Sequence, residues 1–248
     1  MMAAPTAALL EVRKVSRFFG GVKANLDVSF EVHAGLVLGL IGPNGAGKTT
    51  LFNCIAGFFP PSSGEIRFDG KRVDGLSPDR ICKLGMARTW QKVRPLAKLT
   101  VLDNAVVGAL CRTGSVKVAR DLAHEQLRVV GLDKSASQLA GGLSIGDRKK
   151  LELARVLATQ PRLLLLDEVM GGLNARESEE LIDLILALKQ RGLTQVVIEH
   201  DMKAIVRTSD RIVVLSSGEK LAEGAPAEVV NDPLVIAAYL GQSEGAKA

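Results

Sequence analysis

Eight consecutive residues, Gly42, Pro43, Asn44, Gly45, Ala46, Gly47, Lys48 and Thr49, follow the pattern G-x-x-x-x-G-K-[ST] and restrict the available folds more than any other segment. The glycines leave no β-carbon in the way, so main-chain N–H groups can curl around a polyphosphate. Lys48 brings a mobile positive charge to the β- and γ-phosphates, and Thr49 offers a hydroxyl to Mg²⁺. The flanks supply the setting this loop needs. Val37 to Ile41 is a short apolar run that reads as a buried parallel strand. Thr49 to Ala56 reads as a helix, with Thr50 in its first turn and Gly57 closing it. A strand feeding a glycine-rich loop at a helix N-terminus also points the helix dipole at the anion. A chance glycine-rich turn would have neither flank.

The remaining pattern is that of an α/β core. Leu9 to Val15, Leu26 to Val32 and Gly64 to Gly70 read as short strands of an antiparallel β-subdomain. Ser77 and Pro78 form an N-cap and first helical position, and Gly85 stops that helix. Thr100 and Asp103 have capping-box spacing, with Asp in place of Glu. From about Leu96 to Leu139 the pattern is helical and marks a separate lobe. Parallel-strand signals return at Leu163 to Leu166, Gln195 to Glu199 and Ile212 to Leu215, with helices at Ala175 to Gln190 and Met202 to Arg207.

With 248 residues, 47% of them hydrophobic, the chain can build a sizeable core. No apolar run reaches the roughly 18 to 20 residues that cross a bilayer. Met1 to Leu10 lacks the basic and hydrophobic segments of a signal peptide, which points to the cytoplasm. Cys54, Cys82 and Cys111 are scattered without metal spacing and read as reduced thiols, Cys54 in packed core. The net charge of +5 is spread along the chain, and aromatics make up only 4%. No nucleic-acid partner is expected from so few stacking groups and no dense basic block.

Four more segments carry chemistry. Leu163 to Leu166 end in Asp167 and Glu168, at the strand end where an α/β sheet opens its ligand crevice. There Asp167 can hold hydrated Mg²⁺, and Glu168 can orient or deprotonate a water attacking a γ-phosphate. His200 follows the buried run Val196 to Glu199 at the same kind of strand end, which favours γ-phosphate contact over a purely structural role. His33 and His124 lack such a setting. Gln91 follows the strand Met86 to Thr89, where its amide can reach Mg²⁺ or water; it is otherwise a polar loop residue. Gly141 to Arg148 precede a helix expected from about Lys149 to Ala158. Ser144 and Gly146 there can form a second anion nest, or simply an N-cap turn.

The ordered set resembles the ATP-binding subunit of ABC transporters over roughly Leu9 to Gly241. The resemblance implies the ABC ATPase fold: a P-loop NTPase core with an antiparallel β-subdomain and a helical lobe. It implies one nucleotide-binding domain over 1–248, with the β-subdomain and RecA-like core at 1–95 and 160–248 and the helical lobe at 96–159. Phe19 is then similar to the aromatic that stacks on adenine and Gly42 to Thr49 to the Walker A loop. Gln91 is similar to the Q-loop glutamine, and Leu143 to Asp147 to the signature motif. Asp167 and Glu168 resemble the Walker B pair, Gly172 to Asn174 the D-loop, and His200 the switch histidine. The implied ligands are ATP and Mg²⁺, the metal held by Thr49, Gln91 and Asp167. The implied partners are an identical or similar ATPase subunit, two transmembrane permeases and, indirectly, a soluble substrate-binding protein. The chain would then sit on the cytoplasmic face of the inner membrane, with Ser144 and Gly146 completing the other subunit's site.

Phe18 to Gly21, Arg88 to Gln91, Ile198 to Lys203 and Ala238 to Gly241 bring the resemblance closer to branched-chain amino-acid importer ATPases. Lipopolysaccharide-export and urea-import ATPases are similar over the same length. A soluble ABC-type ATPase is a further alternative, but the long insertions or paired cassettes of such proteins are missing. Three positions depart from the family pattern: Ile145, Val169 and Asp147, the last in place of Gln. A carboxylate about 4 Å from a phosphate charge is repelled by about 4 kcal/mol at an effective dielectric near 20. Asp147 is therefore expected to turn from the nucleotide toward Arg148, Lys149 or Lys150.

Overall fold

The computed structural model describes residues 8–91 and 93–240. Residues 1–7 of the N-terminal stretch, Lys92, Gly241 and the tail beyond it lie outside the described residues. Strands β1 (Ala8–Phe19) and β2 (Val22–His33) form a hairpin. Strand β3 (Val37–Ile41) leads into helix α1 (Lys48–Ile55), and β4 (Ser63–Phe68) pairs with β5 (Lys71–Arg72). There follow α2 (Pro78–Leu84), β6 (Met86–Arg88), α3 (Val101–Ala109), α4 (Val116–Val129), α5 (Ile145–Leu157), β7 (Leu163–Asp167) and α6 (Ala175–Gln190). The chain closes with β8 (Thr194–Ile198), α7 (Met202–Thr208), β9 (Arg211–Ser216), β10 (Glu219–Gly224), α8 (Pro226–Val229) and α9 (Pro233–Leu240). Two compact units result, one from 1–78 with 189–248 and one from 79–188.

The first unit holds an antiparallel sheet of order β2-β1-β4-β5. It also holds β3 parallel to both β8 and β9, with β10 antiparallel on β9. Strands β3 and β8 are buried along their whole length, as apolar parallel strands must be. Gly39 lets α7 settle on β3, since a β-carbon there would come within 2.7 Å of Ser209 Oγ. Strands β1 and β2 run further than their alternation indicates. Register shifts between Val12 and Val15 and beyond break the period of two, and Lys14 and Asp27 take positive φ there.

In the second unit β6 and β7 pair in parallel, Met86 opposite Leu163 and Arg88 opposite Leu165. Half of the expected capping box forms: Thr100 Oγ1 accepts the Asp103 N–H at 3.0 Å and starts α3, while the Asp103 carboxylate accepts from the Thr100 hydroxyl at 2.6 Å. Fully buried Asn104 donates to the carbonyls of Leu96 (3.1 Å) and Thr100 (2.9 Å) and accepts the Leu96 N–H (2.9 Å). That fixes the segment leading into α3. Helix α5 begins at Ile145, a turn earlier than the expected Lys149. The reason is Ser144, whose Oγ accepts the Asp147 N–H at 3.1 Å and caps the helix upstream of the buried apolar residues that begin at Leu151.

Candidate nucleotide-binding loop and acid pair

In the first unit β3 delivers the chain to Gly42, and the loop turns through positive φ at Gly42 (149°), Gly45 (77°) and Gly47 (95°). Glycine is obligatory at both ends. A β-carbon at Gly42 would meet Leu215 O at 2.1 Å, and one at Gly47 would meet Ala24 O at 2.3 Å. Gly45 has open space around it, and Asn44, Gly45 and Thr49 are exposed. Fully buried Asn25 donates its Nδ2 to Gly47 O at 3.2 Å, and the Gly218 N–H donates to Ala46 O at 3.2 Å. Burial raises the pKa of the Tyr239 phenol, and the Gly42 backbone beside it acts the other way. The loop is thus braced from β2, β9 and its following turn, and α9.

Lys48 is buried, and its Nζ donates to the carbonyls of Gly42 (2.6 Å) and Pro43 (3.0 Å). A helix start leaves its first N–H groups without intrahelical acceptors, and here the Leu51 N–H bonds back to Gly47 O at 2.9 Å. The loop therefore combines a cation, open space at Gly45 and helix-start amides, with Thr49 and Thr50 in the first turn of α1. Pro43 and Ala46 are buried and form the loop's underside. Phe19 ends β1 with its ring 44% exposed, edge-on to Phe59 at 5.4 Å. The Arg17 guanidinium lies over both rings at 4.6 and 4.7 Å. His200 is exposed just beyond β8, and the neighbouring Asp201 caps α7 by accepting the Lys203 N–H at 2.8 Å.

In the second unit β7 ends in Asp167, whose Oδ2 accepts from Arg88 Nη2 at 2.6 Å. Both side chains are buried, at 6% and 3% exposure. The Asp167 N–H donates to Thr89 Oγ1 at 3.2 Å, and Asp167 Oδ1 is buried without a hydrogen-bond partner. An orphaned, buried carboxylate oxygen is costly unless something satisfies it. A hydrated divalent cation is a good fit for it, so the donor set accords with Mg²⁺.

Glu168 takes φ 49°, a left-handed conformation costing about 1 to 3 kcal/mol in a non-glycine residue. It is held there from two sides. Gln91 Nε2 donates to its carboxylate. Lys149 Nζ donates to Val169 O at 2.7 Å and, more weakly, to Glu168 O at 3.5 Å. Buried Glu152, also on α5, accepts the Trp90 N–H at 2.6 Å, and burial pushes its carboxyl pKa up. Helix α5 thereby reaches both strand ends of this unit. Gln91, Asp167 and Glu168 come together here. Arg88, Lys149 and Glu152, which no local pattern marks, hold them.

Ser144 is exposed at the start of α5, and Gly146 is buried where a β-carbon would meet the Glu177 carboxylate at 2.5 Å. Asp147 does not take the partners expected of it. Arg148 donates to Gly141 O at 3.0 Å, Lys149 to the carbonyls just described, and Lys150 to Glu180 at 2.6 Å. Asp147 makes no ion pair among the described residues. Its place in the first turn of α5 explains this, since the helix dipole already favours a carboxylate there.

The sequence model of the family described as ABC transporter matches residues 26–171, and that of the branched-chain amino acid ATP-binding cassette transporter matches residues 219–245. The chain is 40% identical to the high-affinity branched-chain amino acid transport ATP-binding protein LivG of Escherichia coli (strain K12), covering 95% of this chain and 98% of that one. It is 32% identical to the probable LivG of Archaeoglobus fulgidus, covering 95% and 96%. The crystal structure of the ADP conformation of an ATP-binding cassette of an ABC transporter superposes with a TM-score of 0.87 at 31% identity, over 95% of this chain and 100% of that one. The fold is therefore that of an ABC ATPase, a nucleotide-binding cassette, and the chain belongs to the ABC transporter ATP-binding family.

Proposed function

We propose that this chain hydrolyses ATP to power uptake of branched-chain or similar hydrophobic amino acids through membrane permeases. The observation that carries the reading is the 40% identity to LivG across nearly the whole chain. Adenine stacks on Phe19, and the main chain from Gly42 to Gly47 wraps the phosphates. Lys48 leaves the loop carbonyls for the β- and γ-phosphate oxygens, while the N–H groups of Thr49 and Thr50 face the anion. Thr49, Gln91 and Asp167 would hold Mg²⁺, which when bound neutralises phosphate charge. Glu168 orients the attacking water and takes its proton, with Gln91 fixing the carboxylate beforehand and His200 addressing the γ-phosphate. Ser144 and Gly146 serve the nucleotide of a second ATPase subunit, identical or similar to this one, within a single nucleotide-binding domain whose helical lobe spans 96–159.

No helix among the described residues is long and apolar enough to cross a membrane. The energy must therefore pass to membrane partners. Trp90, Leu96, Leu99 and Leu139 are exposed apolar side chains, and Leu99 and Leu139 lie on adjacent backbone joined by the Ala140 N–H to Leu99 O bond of 3.0 Å. This surface suits the apolar face of a permease's coupling helix, holding the chain on the cytoplasmic face of the inner membrane. A substrate-binding protein acts through those permeases. The test is to tag the chain, extract it from its native membrane in mild detergent and identify what accompanies it. Two polytopic permeases, a similar ATPase and an amino-acid-binding protein support the reading. Recovery with ribosomes, DNA or iron–sulfur factors and no membrane protein refutes it.

A further inference from the structure

Two of the three cysteines stand side by side in the second unit. Cys82 lies near the end of α2 and Cys111 just beyond α3, with their Sγ atoms 4.0 Å apart and both residues partly exposed. The approach is built into the main chain. Arg112, next to Cys111, donates to the carbonyls of Cys82 and Lys83 at 2.8 Å each and also to Thr159 O. That guanidinium satisfies the free carbonyls at the end of α2, so the backbone carrying one thiol is tied to the backbone carrying the other. Gly108 fixes the end of α3 as well, since a β-carbon there would meet Arg155 O at 2.0 Å.

We propose that Cys82 and Cys111 form a redox-responsive dithiol that closes to an intramolecular disulfide when a hydroperoxide is present. One thiolate attacks the peroxide, the O–O bond breaks, and a sulfenic acid and water are formed. The second sulfur then attacks the first and displaces its hydroxyl as water. Two thiols and one H₂O₂ give one disulfide and two waters. The sulfurs must approach from 4.0 Å by about 2 Å to reach bonding distance. Burial and then the neighbouring Cys82 hold the Cys111 thiol above its ordinary pKa, and Arg112 and Lys83 act the other way. The pair therefore responds to sustained oxidant rather than traces, and faster as pH rises. Burial pushes the Cys54 thiol up to about 11, which keeps it out of the exchange. The closed ring runs through Arg88, Trp90 and Gln91, so oxidation restrains the segment that contacts Asp167 and Glu168.

The experiment exposes the full chain to millimolar H₂O₂ at pH 8, blocks free thiols under denaturing conditions and reads intact mass and linked peptides. The expected result is a fall from three titratable thiols to one, a Cys82–Cys111 linked peptide, and full reversal by dithiothreitol. Cys82→Ser or Cys111→Ser abolishes the link. Acrylamide quenching of Trp90 falls on oxidation of the parent and not of Cys82→Ser. Covalent dimers, linkage to Cys54 or sulfinic acid without a linked peptide would overturn the proposal. Unchanged quenching despite the link would overturn the restraint on the Gln91 segment. The peptide map of the unmodified protein decides the first point even if a serine variant fails to fold, and neither readout depends on ATP.

Discussion

The Arg88–Asp167 pair invites the sharpest test of how the acid pair is held. The two side chains are 6% and 3% exposed and 2.6 Å apart. At an effective dielectric near 20, opposite charges about 4 Å apart attract by about 4 kcal/mol. Replacing Arg88 with Met keeps most of the volume but leaves a buried carboxylate whose other oxygen already lacks a partner. Removing one member of a buried pair typically costs about 3 to 5 kcal/mol. Urea unfolding without nucleotide and with a chelator measures this, read by fluorescence of Trp90, the only tryptophan, which lies 5.1 Å from the Arg88 guanidinium. With a slope of about 3 kcal/mol per molar, the midpoint should fall by about 1 M or more. Adding Asp167→Asn should recover about 2 kcal/mol relative to the sum of the single changes, because the two sites are in contact. A loss below about 1 kcal/mol, the range of an exposed pair, or strict additivity would refute the reasoning.

Three further outcomes follow. Glu168→Gln should slow phosphate release by about 100-fold or more while nucleotide still binds, by loss of a group acting in the transition state; near-normal turnover would remove Glu168 from that role. Gly47→Ala forces a β-carbon to 2.3 Å from Ala24 O at φ 95°. It should lower thermal stability by at least about 1 kcal/mol and weaken nucleotide binding together, and unchanged binding isotherms would contradict the loop geometry. Burial raises the pKa of Glu152 in the folded state, so its contribution to stability is present below the unfolded carboxylate pKa and lost as pH rises through the folded value. Glu152→Gln should therefore gain stability relative to the parent as pH rises above the ordinary carboxylate pKa of about 4. Melting curves of variant and parent with a constant offset at every pH would show that burial does not perturb this carboxyl.

The phosphate loop was legible because its chemistry is local. Three positive-φ glycines and a lysine at fixed offsets have few other uses, and the flanking strand and helix lie within the same twenty residues. The four leucines before Asp167 and the Thr100 cap were legible for the same reason. Helix α5 starts one turn before the sequence pattern indicates because the Ser, Ile, Gly, Asp run carries no apolar period, and only the Ser144 cap marks its true start. Strand β1 reaches beyond its alternating segment because bulges break the period. Expected partners for Asp147 went elsewhere, since Lys149 and Lys150 are claimed by Val169 O and Glu180.

The sequence by itself determined the α/β class, the family and which residue types are available for ATP chemistry, because each rests on spacing along the chain. Tertiary structure alone decided how those residues are held. Arg88 meets Asp167 across 79 positions, Glu152 meets Trp90 across 62, and Cys82 meets Cys111 across 29. Contacts over such separations leave no periodic trace, since hydrogen bonds and ion pairs form wherever packing brings partners within about 3 Å, whatever their order in the chain.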